Sequence, residues 1–236
     1  MEKPRVAVIT GGGQGIGLAC ARAFARSGFD VVITSRNQSR LQGAMAELKA
    51  LKTTALAVPC NVSEPAAVER LFAEIRRHYS SIEVLVNNAG VAHAGATVEK
   101  LALEAWKQVI DTNLTGMFLV TKLALGMMGP GATIVNNLSV AAIHPFGGMS
   151  AYAASKSGGL GFTNVLREEV RQRGIRVLAL LPGATATEIW QQFWPDAPVE
   201  RMISPDAVAD AVLHTVLAPA SASLEEIRIG PTTGML

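Results

Sequence analysis

The chain has 236 residues, 49% of them hydrophobic and 17% charged, a balance that suits a compact globular protein and excludes a disordered or fibrous one. Its net charge of +2 comes from 21 basic and 19 acidic residues without a long run of either sign, which excludes a nucleic-acid or lipid footprint. The first apolar run is too short for a secretory signal and no stretch reaches the roughly 18 apolar residues of a membrane span, so a cytoplasmic location is expected.

Short apolar runs alternate with longer segments of helical period, the sequence form of repeated βαβ units. The expected fold class is α/β, a doubly wound parallel sheet of seven strands with helices on both faces, in a single domain over 1–236. The first strand, 5–10, leads into a glycine-rich turn and a helix over 15–27 that stops at Gly28. A strand at 30–35 and a helix at 38–51 follow, then a strand at 53–58 and a helix at 65–79. The fourth strand, 83–86, precedes a long helix over 102–127, and the fifth, 132–138, precedes a helix over 151–173. A strand at 175–181, a helix at 205–217 behind Pro205 and a strand at 225–229 complete the series. Most of these runs are apolar throughout, as strands covered on both faces must be. Segment 184–204 fits no period and carries Trp190, Phe193 and Trp194, which marks it as a substrate lid. Cys20 and Cys60 lie in apolar surroundings and read as buried free thiols, and the four histidines show no metal-ligand spacing, so no metal is expected.

The first helix opens inside Thr10-Gly11-Gly12-Gly13-Gln14-Gly15-Ile16-Gly17. Glycines there let backbone amides and a helix N-terminus approach a pyrophosphate, because no Cβ stands in the way. The spacing is Thr-Gly-x-x-x-Gly-x-Gly, through Gly11, Gly15 and Gly17, and it resembles the short-chain dehydrogenase/reductase family, a Rossmann-type fold. Gly13, Gln14 and Ile16 belong to the same expected cofactor contact.

At the end of the second strand an acidic residue would accept from an adenosine ribose 2′-hydroxyl, whereas an arginine would pair with a 2′-phosphate. The residues there are Ser35 and Arg36. Asp30 lies at the other end of the strand, roughly 16 Å away at about 3.3 Å per residue, and cannot serve. NADP(H) is therefore expected over NAD(H), with Arg40 one helical turn further on.

The resemblance covers essentially the whole chain and implies further cofactor contacts. Asn61-Val62 stands where the family usually has Asp-Val against the adenine. Asn87-Asn88-Ala89-Gly90 matches the family's NNAG, with Asn88, Ala89 and Gly90 lining the cofactor cleft. Pro182-Gly183-Ala184-Thr185-Ala186-Thr187 matches its Pro-Gly segment, where Pro182, Gly183 and Thr185 line the cofactor and Thr187 meets the nicotinamide carboxamide.

Tyr152 and Lys156 lie four residues apart on one helix face. An ammonium close by favours the phenolate, so Tyr152 is the expected acid/base, with Lys156 supplying charge. In the family the lysine also holds ribose hydroxyls. Ser139, at the end of the fifth strand, opens onto the ligand crevice and can hold the substrate oxygen. Asn113 matches the family's helix asparagine that orders a water leading to the lysine. These four form the expected catalytic set of an NADP(H)-dependent oxidoreductase acting on a carbonyl or alcohol, with reduction as its working direction.

The expected pocket beyond Ser139 is walled by Ala141, Ile143, His144, Phe146 and Met149 together with the three lid aromatics, so the substrate is an apolar ketone, aldehyde or acyl group. A 3-oxoacyl-carrier-protein reductase is one alternative. Arg173 fits a basic position that such enzymes use, but the approach to the fifth strand, Gly126 to Ala132, has no basic residue. An alternative of another class is a non-catalytic NADP(H)-binding sensor, since fold does not imply function. Family members are often tetramers that pair their two long helices. A homo-oligomer, tetramer or dimer, is accordingly expected, with Leu119, Leu123, Met127, Leu160 and Val165 at the seam or in the core.

Overall fold

The computed structural model describes residues 4–219 and 221–234. Its centre is a seven-stranded sheet in which every pairing is parallel: β1 (Val6–Thr10), β2 (Asp30–Ser35), β3 (Ala55–Pro59), β4 (Val84–Asn87), β5 (Thr133–Asn137), β6 (Arg176–Pro182) and β7 (Glu226–Ile229). The spatial order is β3-β2-β1-β4-β5-β6-β7. The chain therefore reverses its direction of winding between β1 and β4, and the crevice outside the C-terminal strand ends opens at that switch.

Successive strand residues point to opposite faces, so one strand feeds two cores. Val6 and Val8 join Leu85, Ile134 and Val177 on one face, while Ala7 and Ile9 join Val86, Val135 and Leu178 on the other. On the first face pack α3 (Pro65–His78), α5 (Gly116–Ala124) and α6 (Ser150–Arg171), through Leu71, Phe72, Val120 and Leu166. On the second pack α1 (Gly15–Arg26), α2 (Gln38–Ala50) and α7 (Pro205–Leu217), through Phe24, Leu48, Val208 and Val212. Full burial of side chains of this size contributes about 1.5–3 kcal/mol each. The two thiols are buried and free, and burial pushes Cys20 up to about 12 and Cys60 up to about 11.

The long helix expected over 102–127 is broken into parts. After α4 (Leu103–Ile110) comes a π-turn at Asp111–Thr115, then α5, then a 3-10 turn at Leu125–Met127. The apolar periodicity runs smoothly through the π-turn, so the extra residue leaves no mark in the sequence. Of the expected seam residues, Met127 is buried, and Leu119, Leu123 and Leu160 pack half-buried against the cores. Val165 is 60% exposed, and Leu103 and Phe118, on α4 and α5, are exposed apolar side chains as well. No helix among the described residues is long and apolar enough to cross a membrane.

Candidate active site

A cleft of about 850 Å³ runs along the C-terminal strand ends from Ser35 and Arg36 to Ser139 and Tyr152. At its floor β1 ends in the glycine turn. Gly11 and Gly15 adopt φ of +65° and +52°, the left-handed region that favours glycine. A Cβ on Gly17 would press into the Gly11 carbonyl and the Asn88 amide, so the turn closes only around glycine. Gly17→Ala is expected to cost about 1–3 kcal/mol by overpacking. Thermal unfolding checks this, and an unchanged melting temperature contradicts it.

α1 starts at Gly15 with no side-chain cap and no acidic residue in its first turn, so its N-terminal amides face the cleft free for an anion. Gly11, Gln14, Gly15 and Ile16 line the cleft here, whereas Gly13 packs its Cα against Arg40 and Gly17 lies behind the turn. Arg36 is exposed at the cleft wall. Arg40 reaches across to Glu188, 2.5 Å away on the 184–204 segment, tying α2 to that segment. Asp30 sits opposite Val6 at the far end of β2.

Val62 lines the cleft and packs on Gly116. Asn61 does not line it. Its Oδ1 accepts from Ser63 Oγ at 2.9 Å, and its Nδ2 donates to Glu64 Oε1 at 2.7 Å. The amide is spent on the turn that starts α3, because Ser63 and Glu64 lie within its local reach. Asn88, Ala89 and Gly90 line the cleft as expected, as do Pro182, Gly183, Thr185 and Thr187, and Thr187 stands against Gly15.

At the other end, Ser139 lies two residues beyond β5 and caps a 3-10 turn at Val140–Ala142, accepting from Ala141 N at 3.1 Å. Tyr152 and Lys156 line the same wall from α6, with Lys156 Nζ 5.5 Å from the Tyr152 ring centroid. Lys156 Nζ donates to the Asn137 carbonyl at 2.9 Å. Burial lowers the Lys156 ammonium to about 8. The Tyr152 phenol moves above its ordinary value, opposite to the direction expected from the lysine. Burial raises it and outweighs the hydrogen bond with Ser139, which lowers it.

Asn113 sits on the π-turn, 1% exposed and just behind the cleft wall. Its carboxamide accepts from Val91 N at 2.8 Å and donates to Val91 O at 2.9 Å and Ser155 Oγ at 3.0 Å. Asn113 thus clamps the loop after β4 to the helix turn that carries Lys156. A π-turn at such a position has the usual place of these bulges, beside a site.

The 3-10 turn rotates two expected wall residues away. Ile143 packs into a small core with Met117 and Leu138, and His144 is exposed. Ala141, Phe146 and Met149 remain in the wall with Trp190, Phe193 and Trp194. Trp190 stacks near Phe193 at 4.9 Å and Trp194 at 6.0 Å between ring centres, and its Nε1 donates to Thr185 O at 2.8 Å. Gln192 Oε1 accepts from Ala92 N at 2.9 Å and ties this segment to the loop after β4. The sequence reading missed Thr34, Cys60 and Asn137, and the Ile229–Pro231 stretch that ends β7 and leaves it, all of which line the cleft.

The profile of the family described as short chain dehydrogenase matches residues 5–198. This chain belongs to the short-chain dehydrogenases. The dehydrogenase is 34% identical, over 92% of its length and 91% of the relative's, to a 3-oxoacyl-[acyl-carrier-protein] reductase of Synechocystis sp.. Its structure resembles an alcohol dehydrogenase of the archaeon Thermococcus sibiricus complexed with 5-hydroxy-NADP, with a TM-score of 0.90, 25% identity and 99% coverage of both chains. It also resembles a short chain dehydrogenase of Burkholderia cenocepacia in complex with NADP, with a TM-score of 0.88, 30% identity and 96% coverage of both chains. The dehydrogenase is an oxidoreductase of the alcohol and carbonyl class on a Rossmann-type sheet. The uncapped amides of α1 and the glycine cradle suit the pyrophosphate of a nicotinamide dinucleotide.

Proposed function

We propose that this dehydrogenase is an NADP(H)-dependent reductase of apolar ketones, aldehydes or 3-oxoacyl groups, with Tyr152 as its general acid. The observation that carries the reading is the shared wall of Ser139, Tyr152 and Lys156, set between the glycine turn and an aromatic pocket. When bound, the nicotinamide supplies the hydride. Ser139 holds the substrate oxygen, and the Tyr152 phenol gives it a proton. Burial keeps the phenol in its protonated form, the form that a general acid must have at the start of reduction. Lys156 orients the cofactor and places positive charge beside the phenol, while Asn113 positions the lysine's helix turn through Ser155.

The preference for NADP(H) rests on Ser35 and Arg36 at the adenosine end, where no carboxylate repels a 2′-phosphate and a guanidinium fork can bind it. Arg36→Ala is expected to raise KM for NADPH about tenfold or more and to leave KM for NADH nearly unchanged. Equal effects on both cofactors would remove that role.

Segment 184–204 is the substrate lid of a single catalytic domain, and its three aromatics set the apolar preference. The relative named for 3-oxoacyl substrates keeps that group within the class. Arg173 is less free for an acidic carrier, because its Nη2 donates to the Leu125 and Met128 carbonyls at 2.7 and 3.0 Å. The exposed Leu103, Phe118 and Val165 suit a homo-oligomer, dimer or tetramer, and the location is cytoplasmic.

The test is to screen a broad carbonyl panel with NADPH and NADH in parallel. The expected result is NADPH-dependent reduction of apolar carbonyls. Faster turnover with NADH overturns the cofactor assignment. Tight NADPH binding without turnover on any member of the panel points to a non-catalytic sensor instead.

A further inference from the structure

The cleft wall holds a buried acceptor that no donor reaches. Asn137 ends β5, is 7% exposed and lines the cleft. The direction of its carboxamide is fixed by Asn88. Asn88 Nδ2 donates to the Thr10 and Gly11 carbonyls at 3.0 and 3.2 Å, so Asn88 Oδ1 must face the other way and accept. It accepts from Asn137 Nδ2 at 2.8 Å. Reversing the Asn137 amide would set two carbonyl oxygens against each other. Asn137 Oδ1 is therefore turned away from Asn88, and it is buried with no hydrogen-bond partner among the described residues.

An unpaired buried acceptor is costly, and Asn137 bears that cost at its Oδ1 while its Nδ2 serves Asn88. Its position tells what the acceptor is for. Through Asn88 the side chain touches the glycine turn, and through its own carbonyl Asn137 holds Lys156 at 2.9 Å. Asn137 thus lies between the pyrophosphate end of the cleft and the Tyr152–Lys156 wall. In a nicotinamide dinucleotide the hydroxyl-bearing unit between those two points is the ribose that carries the nicotinamide.

We propose that Asn137 is a further cofactor-binding residue of this dehydrogenase, whose Oδ1 accepts a hydrogen bond from a hydroxyl of the nicotinamide-side ribose. The inference rests on the reading of the cleft as an NADP(H) site. It also gives Asn137 a positioning role: one residue would hold the ribose by its side chain and Lys156 by its main chain, fixing each relative to the other.

Binding of NADPH and of adenosine 2′,5′-bisphosphate, measured by titration calorimetry, tests the assignment. The second ligand fills the adenosine end and lacks the nicotinamide-side ribose. Asn137→Leu is expected to weaken NADPH about tenfold and to leave the bisphosphate unchanged. Asn137→Ser, which is smaller and keeps a polar group for Asn88, is expected to give the same split if the leucine variant does not fold. Equal weakening of both ligands overturns the proposal, because the side chain would then merely brace the glycine turn through Asn88. NADPH affinity unchanged in both variants overturns it as well. Wild-type protein that binds neither ligand overturns the cofactor reading itself, a result distinct from the other two.

Discussion

Tyr152→Phe is expected to lower carbonyl reduction by about 10²–10⁴-fold while NADPH still binds with near wild-type affinity. The substitution removes one hydroxyl and keeps the ring, so its packing on Val91, Val109 and Ala151 survives. What is lost is the proton that must reach the substrate oxygen as the hydride reaches its carbon. Ser139 cannot replace it, because a serine hydroxyl is a far weaker acid than a phenol. The loss should fall on kcat more than on KM for the substrate, since the proton moves only in the transition state. Steady-state kinetics on any carbonyl that the wild type reduces, with NADPH binding measured separately, checks both parts. Turnover retained at the wild-type level would mean that another group protonates the substrate, and the site would have to be redrawn.

The sheet was readable from the sequence because a parallel strand covered on both faces has to be apolar, and most of the seven runs are; β7, at the sheet edge, instead alternates Glu226, Ile227, Arg228 and Ile229. The glycine turn was readable because a Cβ at Gly17 has no space, a constraint that leaves glycine itself as its record. The pair Tyr152 and Lys156 was readable because a spacing of four puts both on one helix face and because it stands with Asn113 and Ser139 behind the glycine turn at the family's spacing. What escaped notice depends on contacts between distant residues or on local turns of low periodicity. Arg40 and Glu188 meet across 148 positions, and no pattern near either residue announces the other. Asn137 looks like an ordinary strand residue until its amide is followed to Asn88, 49 positions away. Ile143 and His144 turned out of the pocket because three residues of 3-10 turn rotate the chain after Ser139, and such short turns have no sequence period of their own. Asn61 was assigned by resemblance, yet Ser63 and Glu64 take up its amide before a ligand can.

Lys156→Met is expected to abolish useful turnover and at the same time to stabilise the protein at neutral pH. Lys156 is 5% exposed, and burial lowers it from 10.5 to about 8. Between those two values the unfolded chain holds a proton that the folded chain does not. Stability therefore rises as pH climbs from about 8 toward 10.5, and below about 8 the folded state carries the full penalty of the buried charge. That penalty is about 3 kcal/mol, at roughly 1.4 kcal/mol per pH unit. Methionine matches the length of the lysine stem without a charge to desolvate, and the hydrogen bond lost at the Asn137 carbonyl offsets about 1 kcal/mol. The net gain at pH 7 is about 2 kcal/mol, or about 4–8 °C in melting temperature for a chain of this size. The gain should shrink as pH approaches 10, because the wild-type lysine is then neutral in the fold as well. Thermal unfolding of both proteins between pH 7 and 10 tests the sign. A variant less stable than wild type across the whole range would show that the charge is solvated where it stands, and that Lys156 imposes no cost on the fold. Convergence at high pH, together with lost turnover at pH 7, would mean that the site keeps a destabilising cation because the phenol and the cofactor need it.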